Sequence, residues 1–185
     1  HILAVQSDGT SAAQTTIQNV TIIGDPNSKS GIHAYNGANV VLKNVTIQDC
    51  GSVGVQINGA TVDATNLNIS GSGWGSINVD KGGNVSVNPE LTFNSGTLSD
   101  TAQIYTELKS ANEVSITVSE ASGLKQVHSG NSVNLKGYDY YTDDVSKLGV
   151  AYNEDTNTIY ETLEEALTEA AHSGNTITVV DNGRG

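Results

Sequence analysis

The sequence predicts an all-β protein built as a parallel β-helix. A pattern of glycine, apolar residues and asparagine recurs every 22 to 25 residues, and its apolar positions alternate as they do in strands. In each clear copy the alternation slips phase at one asparagine, which a straight strand cannot do. Composition agrees: of 185 residues only 36% are hydrophobic, and Gly, Asn, Ser, Thr and Val abound, which suits short strands joined by tight turns.

The copies run in order along the chain. AAQTTIQNVTI spans Ala12 to Ile22, GANVVLKNVTI spans Gly37 to Ile47, and GATVDATNLNI spans Gly59 to Ile69. A fourth, GGNVSVNPELTF, is aligned from Gly82 with one extra residue before Leu91, and fainter echoes follow at Ser110 to Val118 and Ser129 to Leu135. Between them sit GIHAYN at Gly31, GVQING at Gly54 and GSINVDK at Gly75, so each unit holds three short strands. A period this short, with strands and no helix, fits a solenoid whose rungs stack as parallel sheets.

Parity assigns the faces. Val40 and Leu42 share one face and Val45 and Ile47 the opposite parity, with the slip at Asn44; Asn19 and Asn66 mark the same slip in their copies. These asparagines are expected at a structural corner of each rung, because Asn tolerates the left-handed conformation and stacked amides can bond from rung to rung. Ile32, Ala34, Val55, Ile57, Ile77 and Val79 should stack inward as one aliphatic column. Burial at about 1.5–3 kcal/mol per side chain would fix the register, since a one-residue slip exposes the column. Their neighbours should form two outward columns: His33, Gln56 and Asn78, then Tyr35, Asn58 and Asp80.

From Ile2 to Leu135 this rung pattern, with its asparagine corners at Asn19, Asn44 and Asn66, resembles the pectate-lyase-like family of bacterial parallel β-helices. The resemblance implies a right-handed β-helix, here of about five to six rungs over residues 1–136. It specifies architecture and not activity, because the fold hosts lyases, hydrolases, adhesins and phage tailspikes.

Residues 137–185 change texture and are expected to form a C-terminal cap or the start of a following module, an irregular segment with one short helix. GYDYYTDDVSKLG reads as a linker or irregular cap. Val150–Tyr152 and Thr158–Tyr160 flank a polar NEDTN turn as a hairpin. Thr162 with Glu165 has capping-box spacing, and Leu163, Ala166, Leu167 and Ala170 give the helix an apolar face. Ser173-Gly174-Asn175 ends the helix, and Thr176 to Val180 reads as a last strand. The tail resembles a short module of bacterial surface proteins, and docking of its helix over the open end of the rungs is the expected arrangement, hiding backbone edges.

Charge narrows the partners. Twenty acids against 8 bases leave a net charge of −12, which repels nucleic acid and anionic lipid, so neither is expected. No apolar run approaches the ~18 residues of a membrane span. No signal peptide is visible, the chain opens on the strand-like HILAVQS, and methionine is absent, so it reads as part of a longer chain. The single cysteine, Cys50, excludes an internal disulfide.

The sequence offers no recognisable catalytic set. The family's lyases carry a calcium-binding aspartate group and a catalytic arginine; the one arginine here, Arg184, lies at the C-terminus, outside the rungs, so a lyase mechanism does not carry over. Asp49, Asp63 and Asp80 lie on rungs but form no paired-acid motif. His33, His128 and His172 lack ligand-like spacing, so no metal site is expected. Asp143-Asp144 and the turn Asn153–Asn157 offer oxygen ligands for calcium but match no EF-hand, and the ordinary reading is a solvated turn. The sequons at Asn19, Asn44, Asn68 and Asn84 read as rungs rather than glycosylation sites.

Carbohydrate is the ligand these residues suit. Trp74, in the loop GSGWGS, is either an exposed platform for a sugar ring or a packing residue folded over a rung corner. Tyr35, Asn58 and Asp80 form either a polar sugar-contacting face or an ordinary solvated one. The expectation is a non-enzymatic, secreted or cell-surface module, an adhesin-like scaffold or stalk meeting a glycan or a host surface protein. The alternative is a fragment or divergent member of a polysaccharide lyase or glycoside hydrolase whose catalytic residues lie outside this chain. Two or three carboxylates within about 5–10 Å on one outward face would favour that alternative.

Overall fold

The computed structural model describes residues 1–7, 13–82, 86–130 and 135–180. Its rung strands are β1 (Leu3–Gln6), β2 (Gln14–Ile23), β3 (Ile32–Tyr35), β4 (Asn39–Gln48), β5 (Val53–Asn58), β6 (Thr61–Ser70), β7 (Gly75–Asp80), β8 (Glu90–Phe93), β9 (Gly96–Leu98), β10 (Ile104–Glu107) and β11 (Ser115–Val118). The tail adds β12 (Lys125–Ser129), β13 (Tyr138–Thr142), β14 (Ala151–Asn153), β15 (Thr158–Tyr160), α1 (Leu163–Ser173) and β16 (Ile177–Val179).

The chain is a parallel β-solenoid of about four turns, slightly fewer than the five to six expected. One sheet stacks β1-β3-β5-β7-β10 and the other β2-β4-β6-β8-β11, with β9 also on β6. The registers follow the repeat: Val20 pairs with Val45 and Val45 with Leu67, while Ile32 pairs with Val55 and Val55 with Ile77. The column Ile32, Ala34, Val55, Ile57, Ile77 and Val79 is buried against Val40, Leu42, Val45, Ile47, Leu67 and Ile69 of the second sheet. Close packing explains the glycines at Gly31 and Gly54: an added Cβ would stand 2.6 Å from Ile47 Cγ2 and 2.4 Å from Ile69 Cγ2 respectively.

Asn19, Asn44 and Asn66 bend their strands with φ of +54°, +52° and +53°. Their side chains form a ladder in which Asn66 Nδ2 donates to Asn44 Oδ1 (3.0 Å) and Asn44 Nδ2 donates to Asn19 Oδ1 (2.9 Å). This satisfies polar groups at a corner where the sheet hydrogen bonds break.

The fourth copy differs from the sequence alignment. Glu90 pairs with Thr61 and Leu91 with Val62, whereas alignment from Gly82 had placed Val85 over Val62. Pro89 supplies no N–H for a ladder, so the strand resumes after it, at Glu90. The bend that Asn66 makes in the third rung is replaced by two separate strands, β8 and β9, with Gly96 over Leu67 and Leu98 over Ile69.

Beyond β10 the first sheet turns antiparallel and changes the face it buries. β13 pairs with β10 on one side and β12 on the other, and the sheet continues through β15, β14 and β16. Tyr105 of β10 lies in register with Asn78 of the outward column and with Tyr140 of β13. Tyr105, Tyr140, Val127, Leu148 and Ile159 build a second core there, on the face that is outward in the rungs. Strands from both sides of residue 137 thus interleave in one sheet.

The tail holds the hairpin β14–β15 and the helix α1. Thr162 Oγ1 accepts from the Glu165 N–H (3.3 Å), and Gly174 ends the helix at φ +70°. The expected apolar face is split. Ala166 is buried with Ala151 and Tyr160, while Leu163 and Leu167 are 41% and 53% exposed, because only the alanine line of the helix meets the hairpin.

Candidate functional site

The change of face after β10 creates a groove of about 750 Å³. Its floor is the outward surface of β5, β7 and β10, where Gln56 stands beside Asn78, Asn58 beside Asp80, and Asn78 beside Tyr105. Tyr138 from the tail and Lys109 and Glu113 from the turn Leu108–Glu113 wall one side, and Ser52 and Trp74 line another part of the rim.

Trp74 stands on a loop pinned to the rung beside it. The Trp74 N–H donates to Ser52 O (2.7 Å) and the Gly73 N–H to Cys50 O (2.9 Å), yet the side chain is left out of the packing and Trp74 is 72% exposed. The rung-corner packing alternative therefore does not describe it. A solvent-facing indole on this backbone-anchored loop, at the rim of a polar groove, offers an apolar plate beside hydrogen-bonding groups.

Asp80 lies at the floor and is only 8% exposed. Its Oδ1 accepts from the Glu107 N–H (2.7 Å) and from Thr106 Oγ1 (3.3 Å), and its Oδ2 accepts from Asn78 Nδ2 (2.7 Å). Burial pushes its carboxyl above the usual carboxylate range, opposed by these hydrogen bonds and reinforced by the nearby Glu107 charge. Burial likewise raises the Tyr105 phenol well above its ordinary value.

The cations of the groove are already committed. Lys81 pairs with Glu113 and Lys109 with Glu107. Three carboxylates, on Asp80, Glu107 and Glu113, thus face two lysines, and each lysine has its own acid.

Toward the N-terminal end the outward columns continue. His33 Nε2 shares a hydrogen bond with Asn58 Oδ1 (2.8 Å), and Asn58 Nδ2 donates to Asp80 O (3.3 Å). Burial chiefly holds the His33 pKa below its ordinary value, against the raising effect of its hydrogen bond with Asn58. Tyr35 stacks on His33 with ring centroids 4.6 Å apart and donates to Gln6 Oε1 (2.6 Å).

Of the residues singled out from sequence, Trp74, Asn58 and Asp80 meet in the groove, and Tyr35 lies beyond its lining on the next strand. Tyr105, Glu107 and Tyr138 were not foreseen. They come from β10 and the tail, whose placement over β7 the repeat does not encode; the alternation of Ile104-Tyr105-Thr106-Glu107 was the one available signal. Asp63 joins Asn94 (2.8 Å) on the other sheet, and Asp49 sits in a turn at φ +57°, so neither approaches Asp80's groove. Asp143 pairs with Lys147, Asp144 accepts from the Ser146 N–H, and Asn153 Oδ1 accepts from the N–H groups of Asp155 and Thr156 within its own turn. Among the described residues no group of three or more His, Cys, Asp or Glu side chains gathers as a metal site. Arg184, the sequon at Asn84 and the side chain of His172 lie outside the described residues. In the comparisons with known proteins, no family model matches the chain, and neither does any curated protein or solved structure.

Proposed function

We propose that this protein is a non-catalytic β-helix module of a secreted or cell-surface protein, an adhesin-like scaffold that contacts carbohydrate along the Trp74 groove. The observation that carries this reading is the 72% exposure of Trp74 at the rim of a groove floored by amides, carboxylate and tyrosine. Sugars present C–H faces that stack on an indole and hydroxyls that pair with Asn, Gln and Asp side chains. The strip from β1 to β10 crosses five strands at about 4.8 Å spacing, about 19 Å in all, which suits an extended oligosaccharide. Because both groove lysines are ion-paired and the chain carries −12, neutral sugars fit better than uronates.

A second reading has one observation in its favour: Asp80, with its raised pKa, shares the groove with Glu107, as the carboxylates of a glycoside hydrolase share a cleft. Against it, Asp80 already accepts three hydrogen bonds and Glu107 is held by Lys109.

A glycan array with the Trp74→Ala variant as its pair tests the proposal. Binding of neutral oligosaccharides, weakened at least about tenfold by the substitution (about 1.4 kcal/mol), is expected. No binding by either form would leave a ligand-free stalk. Release of shorter sugars from a bound glycan, lost in Asp80→Asn, would replace the scaffold by a hydrolase.

A further inference from the structure

We propose that Asp100 is the positioning residue of the Trp74 platform: its carboxylate reaches over from the next rung, ties both ends of the loop that carries the indole, and so sets where a sugar ring can stack. The inference rests on the reading of Trp74 as that platform. Asp100 lies in the turn after β9 and is 8% exposed. Its Oδ1 accepts from the Ser72 N–H (3.0 Å) and its Oδ2 from Ser76 Oγ (2.8 Å). The two residues it holds stand two places before and two places after Trp74. Asp100 is not among the residues lining the groove, so it reaches a ligand only through this loop.

The neighbouring rungs show that the arrangement is not needed to build a rung. Ser76 falls between the pairs Val53–Gly75 and Val55–Ile77, which places it over Gly54, and Gly54 in turn lies over Gly31. Glycine thus fills this position in both preceding rungs, and only the rung of Trp74 puts a hydroxyl there, fully buried and bonded to Asp100. A buried carboxylate also costs free energy that hydrogen bonds must offset. Asp100 forms no ion pair among the described residues, so its bonds to the loop carry that offset. Local departures from an otherwise consistent pattern are where functional sites are expected, and both departures here fall on the loop of Trp74.

The loop is held from both sides. The Gly73 and Trp74 N–H groups donate to Cys50 O and Ser52 O of the rung before, and the Ser76 N–H donates to Ala102 O (2.8 Å) beside the Asp100 carboxylate. A platform placed before the sugar arrives avoids the cost of ordering it on binding.

Trp74 is the only tryptophan, so its fluorescence reports this loop alone. Anisotropy decay without sugar is measured for the wild type, Asp100→Ala, Asp100→Asn and Ser76→Gly. Affinity for the neutral oligosaccharide that the wild type binds most tightly on the array is measured for each, and again in a Trp74→Ala background. Asp100→Ala should enlarge the fast component of the decay and weaken binding about fivefold. Asp100→Asn keeps an acceptor for the Ser72 N–H and offers an amide donor to Ser76 Oγ, and should restore both readouts. Ser76→Gly, which returns the glycine of the neighbouring rungs, should show part of both changes and carries the comparison if Asp100→Ala does not fold. In the Trp74→Ala background none of the three should weaken binding further. A wild-type decay in Asp100→Ala and Ser76→Gly, or the same loss of affinity with and without the indole, would overturn the proposal. A wild type that binds no glycan would overturn the reading of the groove and with it a role for Asp100 in binding, while the sugar-free decay would still show whether Asp100 holds the indole.

Discussion

Asn44 does two separable things. It holds φ at +52°, and its amide links Asn66 to Asn19 by hydrogen bonds of 3.0 and 2.9 Å. Glycine keeps the first and loses the second; alanine loses both. Each exposed hydrogen bond contributes about 0.5–1.5 kcal/mol, and a left-handed residue with a Cβ costs about 1–2 kcal/mol more. Asn44→Gly should therefore lower stability by about 1–3 kcal/mol and Asn44→Ala by about 2–5 kcal/mol, read from urea midpoints at constant slope. If alanine were no worse than glycine, the backbone conformation would not be what the asparagine supplies. These corners were legible in the sequence because a parity slip between apolar positions, as from Leu42 to Val45, has a geometric cause that leaves a mark in the residues themselves. Tyr105 left no such mark. Its role depends on which strand packs over β7, and a change of buried face looks locally like any other alternating strand.

At the scale of elements, the rungs and the helix were legible for different reasons. A rung inherits its register from the repeat, so β4 and β6 could be paired residue by residue, until Pro89 moved the fourth strand to Glu90. The helix α1 was marked by its own caps, Thr162 and Gly174, but the side it buries was not, because that is chosen by the partner surface. Leu163 and Leu167 look like core in the sequence, yet Ala166 is the residue that meets Ala151 and Tyr160. This inverts the usual expectation for substitutions. Ala166→Leu should destabilise by about 1–3 kcal/mol through overpacking, whereas Leu167→Gln should change stability by less than about 0.5 kcal/mol. Thermal denaturation of the two variants checks the order, and a larger loss at Leu167 would mean that the leucines are the docking face.

For the whole molecule, the decisive feature is that β10 belongs to both cores. Ile104 points into the solenoid, and Tyr105, the next residue, points into the second core with Tyr140 and Val127. β13 then sits between β10 and β12, so the tail cannot leave without exposing an edge of the rungs. Repeat solenoids tend to lose rungs one at a time from an end, and here the two ends are unequal. Among the described residues β1 and β2 have a strand neighbour on one side only, while at the other end the tail is woven into the sheet. Native-state hydrogen exchange should therefore show β7, β10, β13 and β12 opening with a common free energy, and β1 and β2 opening at a lower one. Tyr140→Ala tests the coupling, because removing a buried aromatic ring costs about 3–5 kcal/mol. If β10 joins the cores, that loss should appear in the amides of β7 and β10 as well as in β13. A loss confined to β12 through β16 would make the tail its own folding unit, and the groove between tail and rungs would then be a joint able to open, with Trp74 on one side and Tyr138 on the other.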